Sequence, residues 1–247
     1  MLVMMKRDVD LKKYLQQNHH QLIWKDRIKI AYIIINRVYF IHEEKAIHRD
    51  LHSGNILYSQ LDDDWYISDL GFCGPADKSS KSIYGNLPYI APEVIAEKGY
   101  TFASDIYSIA MLMWEILSGQ SPFINYKHDY DLAMDIINGM RPKILPNIPL
   151  EYSSLMEQCW DADPLKRPDI LTLRKKMEQL HLSCNKSNKN KKFKKYLKKF
   201  NLFQLFKPKT NKAIDLEKNY TNSRLFTSKV YQFENLPEPK NATEGNK

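Results

Sequence analysis

The stretch Ala46–Leu57 reads AIHRDLHSGNIL. Asp50 and Asn55 stand five residues apart, behind His48-Arg49 and between two apolar runs. That spacing suits phosphoryl transfer, which asks a protein for positioning and charge neutralisation more than for covalent catalysis. A further carboxylate, Asp69, follows in Asp69-Leu70-Gly71. Taken singly, each group has an ordinary reading. An Asp-Leu-Gly is usually a turn, an asparagine caps turns, and His48 suits a packed core position.

Those residues need elements to hold them. Leu2–Met5 is a short apolar run that reads as a strand, and Asp10 is placed to cap a helix over LKKYLQQ. Gln21 to Glu43 reads as one long helix, apolar nearly all round and therefore buried. Two short strands are predicted at Ile56–Tyr58 and Trp65–Ser68, joined by QLDDD. An irregular stretch spans Asp69–Glu93. A second buried helix follows, with Thr101 as its N-cap and Gly119 as its stop. Amphipathic helices are predicted at Asp129–Asn138, Leu150–Cys159 and Pro168–Leu180, punctuated by Pro142, Pro146, Pro149 and Pro164. No internal repeat is visible. The body, residues 1–182, is thus mainly α with a small β component.

Charge supports that boundary. The 247 residues carry a formal net charge of +8, yet residues 183–247 hold 16 Lys/Arg against 5 Asp/Glu, leaving 21 against 24 for the body. The basic character therefore belongs to the tail. Cys73, Cys159 and Cys184 are few, odd in number and widely spaced, which argues against a disulfide framework and suits a reducing, cytoplasmic setting. Their spacing is not that of a zinc site. No run of about 18 apolar residues reads as a transmembrane helix. MLVMMKRDVD is too short in apolar residues for a signal peptide, so the Asn219 and Asn241 glycosylation patterns are read as chance.

His48-Arg49-Asp50 with Asn55 resembles the catalytic loop of protein kinases, Asp69-Leu70-Gly71 resembles their Asp-Phe-Gly, and Ala91-Pro92-Glu93 matches their Ala-Pro-Glu. Order and spacing agree, and three triplets in order are far more specific than any one. With Asp105 early in the buried helix and Arg167 in CWDADPLKRP, residues 1–182 resemble the helical C-terminal lobe of a tyrosine-kinase-like protein kinase. The resemblance implies ATP and magnesium as cofactors and proteins as substrates. Asp50 would accept the substrate hydroxyl's proton, with His52 and Asn55 beside it in the catalytic loop. Asn55 and Asp69 would hold the metal, and Asn55, Leu57 and Asp69 would contact the nucleotide complex. Arg49 would bind a phosphorylated activation-segment residue, for which Ser79, Ser80, Ser82 and Tyr84 are candidates. Asp105 would brace the catalytic loop, and Glu93 with Arg167 would form a buried ion pair.

The chain departs from the family pattern in places. His52 stands where serine/threonine kinases usually carry lysine, and the tyrosine-kinase Ala-Ala-Arg is not matched either. Asn86 replaces the usual threonine in Gly85-Asn86-Leu87-Pro88-Tyr89, while Tyr89-Ile90 favours a serine/threonine enzyme over a tyrosine kinase. No Gly-x-Gly-x-x-Gly occurs, and no Val-Ala-x-Lys precedes the catalytic loop. The N-terminal lobe is thus expected to be missing, leaving Leu2, Val3 and Met4 uncovered. Losing one preorganised donor costs about 10²–10³ in rate, so these 247 residues alone are expected to bind ATP poorly and transfer phosphate negligibly.

The tail is read as basic and disordered or partly helical. Within it, residues 186–200 (KSNKNKKFKKYLKKF) interleave lysines with aromatics. Such a segment suits an anionic membrane, a nucleic acid or nuclear import. Beyond Lys207 no core pattern is read. The alternatives to an enzyme are a kinase fragment or pseudokinase that engages a partner kinase or scaffold, and a membrane- or nucleic-acid-binding protein acting through the tail.

Overall fold

A computed structural model of the chain describes residues 9–75, 83–186, 228–233 and 236–241. The strand expected at Leu2–Met5, its exposure, and almost all of the basic segment 186–200 lie outside those residues.

Helix α1, Leu11–Asn18, starts where Asp10 accepts the Lys13 amide at 2.8 Å. Helix α2, Trp24–Glu43, lacks the first three residues of its predicted span. Its Ile28, Ile35 and Val38 are wholly buried. Strands β1 (Val9–Asp10), β3 (Ile56–Ser59) and β4 (Asp64–Ile67) form an antiparallel sheet in the order β1-β3-β4. The pairs Ile56↔Ile67 and Ser59↔Asp64 fix the β3–β4 register.

Helix α4, Phe102–Ser118, is the second core element. Thr101 Oγ1 accepts the Ser104 amide at 3.3 Å, and Gly119 ends the helix at φ +73°. That glycine is also sterically required, because a Cβ there would sit 2.5 Å from the His19 ring. Helix α4 packs against α2 and α6 (Leu150–Cys159), while α7 (Ile170–Lys186) lies along α2. Helix α5, Tyr130–Ile137, packs against the short α3, Pro92–Ile95. Helix α7 continues six residues beyond its predicted end at Leu180.

Arg27 ties these helices at one end. Its guanidinium donates to the Ile116 and Leu117 carbonyls of α4 at 3.0 and 2.7 Å and to the His19 carbonyl at 3.0 Å. A buried cation at a helix C-terminus both satisfies orphan carbonyls and complements the helix dipole.

Two expectations need correction. The stretch Asp69–Glu93 is not wholly irregular. Gly74–Pro75 (β5) pairs with Ala46–Ile47 (β2), and Ile83–Gly85 (β6) is also a strand. The partner of β6 is Lys229–Tyr231 (β7), in the part of the tail where no core pattern was read. Tyr231, Phe233 and Leu236 pack against the body's core. Alternate residues of a short strand supplied what a helical or longer strand pattern would have shown more clearly. Among the described residues no helix is long and apolar enough to cross a membrane, and all three cysteines are free thiols.

The end of the irregular segment is fixed by an ion pair. Arg167 Nη1 and Nη2 donate to the two Glu93 carboxylate oxygens, each at 2.7 Å. Arg167 also donates to the Asp161 and Ala103 carbonyls at 2.8 Å, so the guanidinium is satisfied around its rim. Removing one partner strands a buried charge. Arg167→Ala is expected to cost about 3–5 kcal/mol of stability, read as the shift in a urea unfolding curve.

Candidate active site

The loop Ile47–Asn55 is held from below by one carboxylate. Asp105, in the first turn of α4, is almost fully buried. Its Oδ2 accepts the His48 amide at 2.8 Å and His42 Nε2 at 2.9 Å, and its Oδ1 accepts the Arg49 amide at 3.0 Å. Arg49 is left-handed at φ +71°, a conformation uncommon for a residue with a Cβ. The two amide bonds hold the chain through that bend, and Asp50 follows directly.

His48 is fixed as the neutral imidazole. Its Nε2 bonds the Ser68 carbonyl at 3.1 Å, and its Nδ1 accepts the Asp50 amide at 3.3 Å. Nε2 must therefore carry the proton and Nδ1 must not. Burial pushes the His48 pKa down, against the pull of Asp105 and of the Ser68 carbonyl.

Asp50 is buried, and burial opposes its ionisation. Even so, His52, the Ser228 hydroxyl and His48 together hold its carboxyl below the usual range. Ser228 Oγ lies 2.7 and 2.8 Å from the two Asp50 oxygens. His52 Nδ1 accepts the Gly54 amide at 3.1 Å, which leaves the ring proton on Nε2. That nitrogen lies 3.1 Å from Ser228 Oγ and 3.7 Å from Asp50 Oδ2. The shorter contact is a hydrogen bond; the longer one is electrostatic. Gly54 is needed for this packing, since a Cβ there would come within 2.8 Å of the His52 ring.

The β3–β4 hairpin brings the remaining oxygen donors together. The Ser68 amide and hydroxyl both bond the Asn55 carbonyl, at 2.9 and 3.1 Å. Asp69, the next residue, therefore follows directly beside Asn55. Asn55 Nδ2 donates to the Asp50 carbonyl at 2.9 Å and to Asp50 Oδ2 at 3.2 Å. Its Oδ1 is thereby turned away from Asp50. Asp69 is exposed and left-handed at φ +59°. A neutral amide oxygen beside an exposed carboxylate is a hard-donor pair fit for magnesium, which takes one or two protein ligands and shares the rest with phosphates and water. Among the described residues, no group of three or more His, Cys, Asp or Glu forms a metal cage. Leu57 is half-buried in β3, opposite Asp10 and Tyr66 and on the alternate face from the buried Ile56.

The other candidates are scattered. Ser79, Ser80 and Ser82 lie outside the described residues. The Tyr84 ring stacks on Phe72, with centroids 3.8 Å apart, and its amide donates to the Tyr100 hydroxyl at 2.9 Å. The Arg49 guanidinium lies over the Tyr100 ring and against Gly74. Glu93 and Arg167 meet away from Asp50, in the ion pair already described.

Glu115 was not singled out by sequence, although it is the lone acid in IAMLMWEIL. It is buried, and its carboxylate accepts Ser53 Oγ at 2.9 Å, the Tyr89 hydroxyl at 2.5 Å and Ser121 Oγ at 3.2 Å. Helix α4 therefore holds the loop twice: by Asp105 at its start and by Glu115 near its end. Burial raises the Glu115 pKa, while the three hydroxyls and Lys12 oppose the rise.

A family described as protein tyrosine and serine/threonine kinase matches residues 1–177. The dual specificity protein kinase zakA of Dictyostelium discoideum is 30% identical over 195 residues, 72% of this chain and 25% of that protein. The probable serine/threonine-protein kinase drkD of the same organism is 31% identical over 163 residues, 64% of this chain and 12% of its own length. The human dual serine/threonine and tyrosine protein kinase is 36% identical over 151 residues, 60% of this chain and 16% of its own. The matched region thus spans a quarter or less of each of these relatives.

Two outcomes are expected from the site's construction. Asp105→Ala leaves the His48 and Arg49 amides without acceptors, at roughly 1–3 kcal/mol each. Asp105→Asn, which keeps one oxygen, costs less; urea unfolding of both variants ranks them. Because folding holds His48 neutral, the unfolded chain binds the extra proton below its ordinary value of 6.5. Stability therefore falls as pH drops below 6.5. Thermal melts from pH 7.5 to 5 should show the decline, and His48→Gln should reduce it, the rest coming chiefly from His19, which burial pushes down to about 4.

Proposed function

The chain belongs to the protein tyrosine and serine/threonine kinase family, and on that premise we propose that its lobe serves ATP-dependent phosphoryl transfer to serine and threonine hydroxyls of proteins. The observation that carries this reading is the Asp50 carboxylate, which is buried, favoured as the anion and bonded to a serine hydroxyl on both oxygens. A base so placed takes the hydroxyl proton and aims the oxygen for in-line attack. Magnesium ATP would supply the phosphoryl group and spread its charge. Asn55 and Asp69 would hold the ion, and Leu57 would line the nucleotide side of the sheet.

In this reading His52 takes the place of the phosphate-facing lysine. With its Nδ1 committed to Gly54, it offers one proton from Nε2 toward the acceptor oxygen rather than a fixed positive charge. Serine/threonine preference is supported by Tyr89-Ile90 before Ala91, where Tyr89 is anchored on Glu115. The three relatives named above are described as serine/threonine or dual-specificity kinases. Arg49, lying against β5, is the group that would meet a phosphate on Ser79, Ser80, Ser82 or Tyr84.

The 247 residues contain no glycine-rich loop and no Val-Ala-x-Lys to cover and grip the nucleotide. That favours a second reading for this polypeptide on its own, as a binding module that engages a partner kinase or scaffold. One pair of assays separates the two. Purified alone with magnesium ATP, the chain is expected to label a protein substrate no more than its Asp69→Asn variant does. Fused behind the N-terminal lobe of a related kinase, it is expected to phosphorylate serine and threonine. Asp50→Asn should then cost about 10²–10⁴ in rate. A folded fusion with no transfer, even when Ser228→Asp clears the hydroxyl that lies on Asp50, would overturn the enzymatic reading and leave the binding module.

A further inference from the structure

The serine on Asp50 comes from the chain's own tail, 178 residues away in sequence. Lys229–Tyr231 pairs antiparallel with Ile83–Gly85 in the register Ile83↔Tyr231, Tyr84↔Val230 and Gly85↔Lys229. Ser228, just before that strand, therefore passes Gly85 and meets Asp50. The approach is close. Gly85 is at φ +141°, and a Cβ on it would lie 3.4 Å from Asp50 Oδ1.

The segment then runs across the lobe. Tyr231 and Phe233 stack with centroids 5.6 Å apart, and Phe233 meets the Tyr130 ring of α5 edge-on at 6.0 Å. Leu236 packs on the core, and Glu238 pairs with Lys98. The Lys240 amide donates to the Ile137 carbonyl at 2.8 Å. Asn241 Oδ1 accepts the Ala162 amide at 2.8 Å, and its Nδ2 donates to Asp161 Oδ1 at 3.1 Å. Val230, by contrast, is mostly exposed and contributes backbone pairing rather than an anchor.

We propose that residues 228–233, with 236–241, are an intramolecular strap that fills the acceptor groove in the manner of a bound peptide substrate, with Ser228 as the acceptor hydroxyl. The groove thereby defines its own ligand class: a peptide laid as an antiparallel strand on Ile83–Gly85, with a serine at Asp50 and aromatic residues three and five positions later. Main-chain pairing to an open strand gives such a ligand affinity, and the aromatic anchors give it specificity. The polar ends of the contact agree with this role. His52 Nε2–H points at Ser228 Oγ, and the serine's proton points at Asp50, so the hydroxyl is oriented as an acceptor would be. While the strap is seated, other peptides are excluded. A negative charge at position 228 would face the Asp50 carboxylate and expel it.

The inference rests on the reading of Asp50 as the acceptor site, and its test reads occupancy rather than turnover. In a Cys73→Ser background, Tyr84→Cys with Val230→Cys places two thiols directly across the strand pair. In glutathione buffer this pair is expected to form an intramolecular disulfide at least about tenfold more than the off-register pair Tyr84→Cys with Gln232→Cys, which leaves the aromatic anchors in place. Absence of that preference, or disulfide-linked dimers in place of the monomer bond, would overturn the strap. Independently, a labelled peptide of residues 228–241 should bind Ser228→Asp at least about tenfold more tightly than the unsubstituted chain, and replacing its Tyr231 and Phe233 by alanine should abolish binding. Equal binding to both proteins would overturn the role given to Ser228. A fusion that transfers phosphate while these tests fail removes only the strap. A fusion that is inactive even with Ser228→Asp, which unseats the strap, while they succeed removes only the enzymatic reading.

Discussion

The structure depends on the Asp105 carboxylate more than on any other single group. It stands in the first turn of α4, where the helix dipole favours a negative charge. Its two oxygens accept two successive backbone amides and one imidazole from α2. A buried carboxylate with this many donors is fully satisfied, and so are the amides that would otherwise be orphaned in a loop. That is how Arg49 can be held left-handed and how Asp50 can be presented at a fixed position. Everything that gives Asp50 chemical meaning is placed relative to this bracket: the neutral His48, the Asn55 amide and the hairpin carrying Asp69.

Helix α4 does more than present one acid. Its far end carries Glu115, whose hydroxyl partners are Ser53 in the Ile47–Asn55 loop, Tyr89 ahead of α3, and Ser121. Its C-terminal carbonyls receive Arg27. The Glu93–Arg167 pair then ties α3 to the turn before α7, and Arg167 reaches the Ala103 carbonyl at the start of α4. Polar groups inside an apolar lobe are costly unless paired. Here every pairing but that of Ser121 with Glu115 joins segments distant in sequence, so the cost of burial is offset while the Ile47–Asn55 loop is fixed to the core.

Much of this was legible in the sequence because it is local. Asp10, Thr101 and Gly119 act within a few residues of themselves, and each does at its helix end what its type predicts. The Asp50–Asn55 spacing and the three kinase-like triplets are likewise short-range patterns. Glu115 and Arg27 were not read. Their partners lie up to 62 and 90 residues away, and only the incongruity of one acid in an apolar run hinted at the first. The strand at Lys229–Tyr231 was missed for a related reason. Three residues beside a proline-interrupted polar stretch carry too little pattern to be recognised without their partner strand.

By itself, the sequence determined the family and the mainly helical lobe, and it pointed to the acid, amide and carboxylate proposed to serve phosphoryl transfer. Those properties reside in residue types at fixed short spacings. The tertiary structure alone decided the protonation of His48, the direction in which His52 offers its proton, and the occupant of the Asp50 site. Each depends on which groups from remote segments stand within hydrogen-bond distance, and loop closure over 178 residues leaves no trace in local composition.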